Sequence, residues 1–332
     1  IDTSGFTDPT PTVHVTTEAL SVGQRANVAA ALNDLPQFRA TTSPQTTGTN
    51  TSAGSAPVDL RGLGISRTLV LMDGRRFSSE NDLNTIPTIM ISGVDVVTGG
   101  ASAAWGSGAV AGVVNIGIDQ NFEGLQLGAE TGVSDYGDAT EYRFDGRFGT
   151  SFAGGRGHFV IGGEYYDNAG VIPKVSRENI GRWSTFNGAI TGNVGYATMA
   201  YGGVITSGVL AGNSFNPDGT LSPFDTSTKV GSYGIGSQFP SNDDLSPLVT
   251  PQRRYSGLAS LSYEVTPSIT ATAQMRYSRS YNNYIWFGDN IQGTASSGLW
   301  IKADNAFLSD DIKSALADAG QTGFYMGRYN ND

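Results

Sequence analysis

The sequence predicts a small α+β unit in its first third and long antiparallel strands after it. Three observations carry this. Residues 58–118 hold β-branched runs separated by glycine-containing turns, the pattern of short buried strands. After residue 124 the apolar period changes to two. The chain of 332 residues is rich in glycine (45) and aromatics (10%) but has only 15% charged residues, which suits glycine- and aromatic-rich β structure better than a helical protein.

Each element has its own reason. Residues 12–16 (TVHVT) alternate and predict a strand, with His14 on its surface. Residues 22–35 place Val28, Ala31, Leu32 and Leu35 on one helical face, and Pro36 ends the helix. Residues 41–56 are a Thr/Ser/Gly/Asn tract without period, hence a loop. The run TLVLM (68–72) suits a strand buried on both faces, and Asp73-Gly74 reverses the chain after it. Pro87 stands one residue inside the start of a short apolar segment, 86–91, a position that a helix tolerates. Residues 94–97 and 112–118 read as strands, with one helical turn at 101–105 between glycine hinges.

Several function classes are excluded. No Gly-Lys-Ser/Thr follows any glycine-rich stretch, so a phosphate loop is absent. Ser102 and Ser107 lack the flanking glycines of a nucleophile elbow. Cysteine is missing, and His14 and His158 are the only histidines, which rules out a zinc or disulfide framework and a multi-histidine metal site. A net charge of −10 disfavours nucleic acid. No cofactor, metal or catalytic group is expected, and the protein is not expected to be an enzyme. No run of 18 apolar residues exists, so no transmembrane helix is predicted, but barrel strands need only about 9–11 residues each.

In the second part Leu125, Leu127, Ala129, Thr131 and Val133 alternate with Gln126, Gly128, Glu130 and Gly132. Tyr142, Phe144 and Phe148 alternate with Arg143, Asp145 and Arg147, and Phe159, Ile161 and Tyr165 with His158, Val160 and Glu164. Two further strands follow a long gap, around Tyr255–Val265 and Ile269–Tyr277, joined by the tight Thr266-Pro267-Ser268 turn. The pattern fits lipid-facing and lumen-facing sides of a membrane barrel, and a half-buried soluble sheet has the same period.

The ordered motifs decide between these. VDLRG (58–62), TLVLMDGRR (68–76), NTIP (84–87), VDVVTGGAS (94–102) and WGSGAVAGVVNI (105–116) together resemble the plug domain of TonB-dependent outer-membrane receptors. TVHVT and LPQF (35–38) resemble the family's opening strand and the segment after it. The resemblance implies an α+β plug over 1–118, a linker at 119–124, and the first transmembrane strands of an incomplete β-barrel with long extracellular loops over 125–332. Five strands cannot close a barrel, and open edges are not tolerated in lipid, so a longer protein is expected. The start at Ile1, with no signal peptide and no convincing TonB-recognition segment, suggests a processed or missing N-terminus.

By the same resemblance the protein imports a nutrient ligand, a ferric siderophore or an oligosaccharide, across the bacterial outer membrane. Its partners would be TonB, with the ExbB/ExbD-type energising complex of the inner membrane, the ligand, and outer-membrane lipid. Turns at 153–157 and 266–268 would be periplasmic, and segments 167–254 and 285–332 extracellular. The first of these would hold a hairpin near 197–210, and the second a helix at 309–319. Arg61 would lock the plug to a barrel carboxylate, with Glu130, Asp145 and Glu164 as the lumen-facing candidates in this chain and the missing strands as the alternative source of its partner. Thr98-Gly99 stands where many receptors carry Arg-Gly, so a second plug arginine is missing. Arg75, Arg76, Phe77, Glu80 and Asn81 are the ligand-facing candidates of the plug. Trp183, Phe186, Phe215, Phe224, Tyr233, Phe239, Trp286, Phe287 and Trp300 either stack on a ligand or form small cores and interface belts. Two other functions stay open: a TonB-dependent signal-transducing receptor, and an adhesive or soluble all-β surface protein.

Overall fold

The computed structural model describes residues 11–21, 27–40, 54–76, 81–99, 102–178, 182–186, 188–285 and 288–330. Two compact units result. One comprises Ile1–Val171 with Val249–Tyr284, the other Ile172–Leu248 with Ile285–Asp332.

The first unit begins with the plug region. Strand β1 (Thr12–Thr16) leads into helices α1 (Thr17–Ser21) and α2 (Val28–Leu32). Then come β2 (Thr68–Met72), β3 (Arg75–Arg76), β4 (Ile91–Val97), the single turn α3 (Ser102–Trp105) and β5 (Gly112–Ile118). They form one sheet in the order β1-β4-β5-β2-β3, with β2 and β5 parallel and the other pairs antiparallel. Val70, Val96, Val114 and Ile116 are fully buried at its centre, and Val28, Leu32 and Met90 pack on the same core. Gly112 has φ 138°, and a Cβ there would lie 2.3 Å from the Val97 carbonyl oxygen, so only glycine fits. Asp73 (φ 49°) and Gly74 (φ 72°) form the expected reversal. The Asp73 carboxylate accepts the Ile118 N–H at 2.9 Å and the Gln120 amide at 2.6 Å, which ties the turn to the exit of the sheet.

Two expected helices are shorter than the sequence suggested. Of the expected helix over 22–35, residues 22–26 lie outside the described residues, and α2 starts at Val28, where the Asn27 side chain caps it, accepting the Ala30 N–H at 2.8 Å. It stops at Leu32, ahead of Pro36, and the chain turns so that Phe38 bridges to Leu60. Segment 86–91 holds only a 3₁₀ turn, Thr88–Met90, with Pro87 as its cap.

Beyond the plug region, β6 (Gly124–Gly132), β7 (Glu141–Phe152), β8 (Gly157–Asn168), β9 (Gln252–Thr266) and β10 (Ile269–Asn282) form a fully antiparallel sheet in the order β10-β9-β8-β7-β6. These are the five strands that the alternation predicted, most of them longer than expected. The register lines up Leu125, Phe148, Ile161, Ala259 and Met275 in one row across all five. Leu125 and Met275 are 67% and 73% exposed, so this apolar face is uncovered, while Val160, Glu164, Arg254 and Leu258 on the opposite face are buried. At one end of the uncovered face stand Tyr142, Phe144, Tyr165, Tyr255 and Tyr281, and at the other Phe152 stacks on Tyr263. Eight residues separate Tyr255 from Tyr263, about 26 Å of strand. An apolar band with aromatic side chains at both ends is the pattern that barrel strands turn toward lipid.

The second unit has its own core. Val204–Ile205 pairs with Gly323–Tyr329, which also pairs with Leu299–Lys302 and Asn290–Ile291. The described hairpins here join Ser184–Phe186 to Ala189–Thr191 and Asn213–Phe215 to Leu221–Pro223, on either side of the expected 197–210. Helix α4 (Asp310–Asp318) is capped by Ser309 and buries Ile312 and Leu316 against Ile205, Phe324 and Met326.

Candidate functional site: a buried polar contact between plug and strands

Residues 84–90 run down the inner face of the long strands, and three levels of contact fix them. At the upper level, near the strand ends that lead into the long segments, Asn84 is 2% exposed and central. Its Oδ1 accepts from the Arg254 guanidinium at 2.6 Å and from the Asn27 amide at 2.7 Å. Its own amide donates to the Gly54 carbonyl at 2.6 Å, which also receives the Gln252 amide at 2.6 Å. One level down, Arg254 pairs with Glu164, and the other Glu164 oxygen accepts the Thr88 N–H at 3.0 Å. Lower still, Met90 lies on Gly162, where a Cβ would come within 2.3 Å of the Met90 sulfur. The linker is held below that: Arg147 bonds Asp119 at 2.9 Å and covers the Phe122 ring at 3.9 Å.

The charges at this contact are buried, paired and hydrogen-bonded together, the condition under which such charges are tolerated inside a protein. Arg254 and Glu164 sit on neighbouring strands two residues out of register, as the β8–β9 pairing of Tyr166 with Arg254 shows. The Arg254 guanidinium also covers the Tyr166 ring at 4.9 Å. Asp82 caps the Leu83–Thr85 turn and accepts the N–H groups of Ala56 and Asn84. Burial pushes its carboxyl above the usual range, against the opposing pull of those two N–H groups and of Arg254.

Beside this contact is a polar cavity of about 360 Å³ between α1, α2 and the Thr88–Met90 turn on one side and β6 and β7 on the other. Glu130, Arg143, Asp145 and Arg147 line its strand wall. Arg143 reaches Glu130 at 3.3 Å, Asp145 at 3.4 Å and Glu164 at 3.9 Å.

Arg61 meets none of the three candidate carboxylates among the described residues. Arg61 is exposed in a left-handed turn (φ 59°), its N–H bonded to the Gln37 carbonyl, and the three candidate carboxylates are taken by Arg143 and Arg254. The plug side of the contact is an amide and a backbone N–H, and the arginine is on the strands. Arg75 sits opposite Met72 beside the Asp73-Gly74 turn, at the linker end of the plug sheet, and Arg76 donates to the Trp105 carbonyl at 2.5 Å. Asn81 spends its amide on the Ile65 and Thr68 carbonyls. Phe77, Glu80, Trp286 and Phe287 lie outside the described residues, as does the Phe186 side chain. Phe224 and Phe239 are core residues and Phe215 packs on Phe324, whereas Trp183, Tyr233 and Trp300 are exposed.

Asn84, Thr88, Gln252 and Arg254 were missed from the sequence. Arg254 fell at the edge of a presumed loop. Extending the alternation of β9 three residues upstream of Tyr255 places Gln252 and Arg254 on the inner face and would have found both.

Comparison with known proteins agrees with this architecture. Residues 6–113 match the family described as TonB-dependent Receptor Plug Domain. A ferric enterobactin receptor of Pseudomonas aeruginosa is 33% identical over 134 residues, 34% of this chain and 17% of that protein. The ferrienterobactin receptor of Escherichia coli is 37% identical over 87 residues, 21% of this chain and 12% of that protein. Among solved structures, a variant of the Pseudomonas aeruginosa ferric enterobactin receptor in complex with enterobactin superposes with TM-score 0.55 at 15% identity, covering 83% of this chain and 34% of that one. The siderophore receptor PirA from Acinetobacter baumannii gives 0.52 at 17% identity, covering 82% and 32%. The chain thus spans about a third of the length of these solved receptors. Residues 6–113 are a TonB-dependent receptor plug domain, and the chain joins it to antiparallel, unclosed strands with the fold of that receptor family.

Proposed function

We propose that the protein takes up a ferric siderophore across a bacterial outer membrane, driven by TonB and its ExbB/ExbD-type complex. The observation that carries this is the plug held on the inner face of strands whose outer face is apolar and girdled by aromatics. A plug seated against a lipid-facing wall has a use as a removable stopper. The relatives quoted are named as receptors for ferric enterobactin, which favours a siderophore over an oligosaccharide. In this reading Asn84, Thr88, Glu164 and Arg254 retain the plug until it is pulled. The domain limits 1–118, 119–124 and 125–332 fit it, and exposed Trp183 and Trp300 offer faces for a flat aromatic chelator. No bond is made or broken in the cycle, so no catalytic group is required.

The test is uptake of iron-55 bound to a catecholate siderophore by iron-starved cells that express the full-length receptor, with and without TonB. Accumulation that needs both supports the reading. Accumulation of labelled oligosaccharide but not of iron would replace the siderophore, and TonB-independent binding without accumulation would remove the transport function.

A further inference from the structure

The uncovered face of the long sheet carries charge at one corner. Among the described residues that its five strands turn to that face, Asp167, Arg253 and Arg279 alone are charged. All three stand at the end that leads into the long segments, on the neighbouring strands β8, β9 and β10. Arg253 faces Tyr281, and Tyr255 faces Arg279. The two arginines are therefore diagonal neighbours, about 7 Å apart at the backbone. Asp167 faces Arg253 from β8.

The charge at this corner is unbalanced. Arg253, its side chain 55% exposed, bonds Asp167 through Nε at 2.7 Å, and the Tyr165 hydroxyl donates to the same carboxylate oxygen at 2.8 Å. Arg279 has no carboxylate partner among the described residues, and its guanidinium lies over the Tyr281 ring at 4.6 Å. Two guanidiniums against one carboxylate leave one net positive charge. Asp135 and Asp138 are at the same end, in the turn between β6 and β7. They are three strand spacings from Arg279, about 14 Å, beyond a Debye length at physiological salt.

The height of the corner points to the partner. The middle row of the apolar face holds Ala259 and Met275. Arg279 is four residues from Met275 and Arg253 six from Ala259, about 13 and 20 Å of strand. With the tilt of about 40° that barrel strands have, these become rises of about 10 and 15 Å. The apolar band of such a barrel reaches about 12 Å from its middle. The two arginines thus bracket the level where hydrocarbon gives way to headgroups, and the anion found at that level is phosphate. A guanidinium fork matches phosphate oxygens, and the low dielectric on the hydrocarbon side strengthens the attraction. We propose that Arg253 and Arg279 dock the phosphate of an anionic membrane lipid, with its acyl chains on the apolar band beside them. This site rests on the reading of the uncovered face as lipid-facing.

The experiment uses the full-length receptor in nanodiscs. They hold equal amounts of phosphatidylglycerol and of monogalactosyl-diacylglycerol, a neutral lipid without phosphate, with the same acyl chains. Lipid kept by the released protein is counted by native mass spectrometry. Wild type should keep phosphatidylglycerol in about fivefold excess, the preference expected of one net charge at a membrane surface. Arg253→Gln and Arg279→Gln should each bring the ratio close to one. Equal retention of the two lipids by wild type, or the wild-type ratio in both variants, would overturn the proposal. So would loss of the excess on adding inorganic phosphate, because a free anion would then be the ligand. Siderophore uptake is measured alongside. A receptor that takes up siderophore but keeps both lipids equally loses this site alone. One that neither enters the nanodiscs nor takes up siderophore loses the transport reading with it.

Discussion

Arg254 on β9 donates to the side-chain oxygen of Asn84 in the plug at 2.6 Å, and both side chains are buried. A strand arginine reading a plug amide places the ion pair of this contact on the strands, with Glu164 as the counter-ion of Arg254 and the plug's Asp82 near it.

Removal of one member of that pair therefore leaves the other buried with weaker compensation, Glu164 keeping only Arg143 at 3.9 Å and the Thr88 N–H, and Arg254 keeping Asn84. Glu164→Gln or Arg254→Met should destabilise the first unit by about 3–5 kcal/mol, while Arg254→Met with Glu164→Met should be milder than either alone. Denaturant unfolding of the full-length receptor in detergent, with amide exchange at 84–90, reads this. Additive single effects in the double variant would show that the two charges do not act as a pair.

Arg61 is exposed and its described hydrogen bond uses only the backbone. Arg61→Ala should leave plug amide exchange within about twofold of wild type, because an exposed charge whose described contact is through the backbone alone contributes little. Faster exchange across the plug would restore Arg61 to a locking role.

Gly162 gives Met90 its seat. Gly162→Val should push Met90 off the strand and destabilise by about 1–3 kcal/mol, the usual range for overpacking. Adding Met90→Ala should recover part of it. A Gly162→Val protein as stable as wild type would mean that the plug does not rest on β8 at this level.

Asp82 sets a pH dependence. Its carboxyl titrates above the ordinary aspartate range in the folded state because it is buried. The folded state then holds the proton more tightly than the unfolded chain. The resulting stability is full below the unfolded value and is lost as pH rises through the folded one. Asp82→Asn keeps an acceptor for Ala56 and Asn84 and removes the charge. Its stability curve should be flatter than wild type from just below pH 4 upward. Parallel curves for the two proteins, from unfolding midpoints across that range, would refute the assignment.

Much of this fold was readable in the sequence. The two-residue period found all five long strands because one face is uncovered and apolar and the other carries charge. Asp73-Gly74 named its turn because left-handed φ at two successive positions restricts the residue types. The contact between plug and strands was less readable. Glu164 was picked as a barrel carboxylate facing the plug, but its strand partner is 90 residues away, and the distance between Glu164 and Arg254 is closed only by strand pairing. Thr88 acts through its backbone N–H, which no side-chain pattern records. The helix over 22–35 was overdrawn at its C-terminal end because apolar spacing does not show where an asparagine will cap.

The ladder between β1 and β4 has a mechanical meaning. It is five residues long, from Thr12 opposite Val97 to Thr16 opposite Gly93, and β1 is paired to β4 alone among the described strands. A pull on residue 11 along the strand axis loads the whole ladder in shear, so its bonds must fail together. A pull across the axis opens it like a zipper, one pair at a time from Thr12. The same five pairings thus form a strong joint in one direction and a weak one in the other. Single-molecule force measurements with a handle at residue 11 should show a higher rupture force along β1 than across it, and equal forces would mean that this ladder does not carry the load.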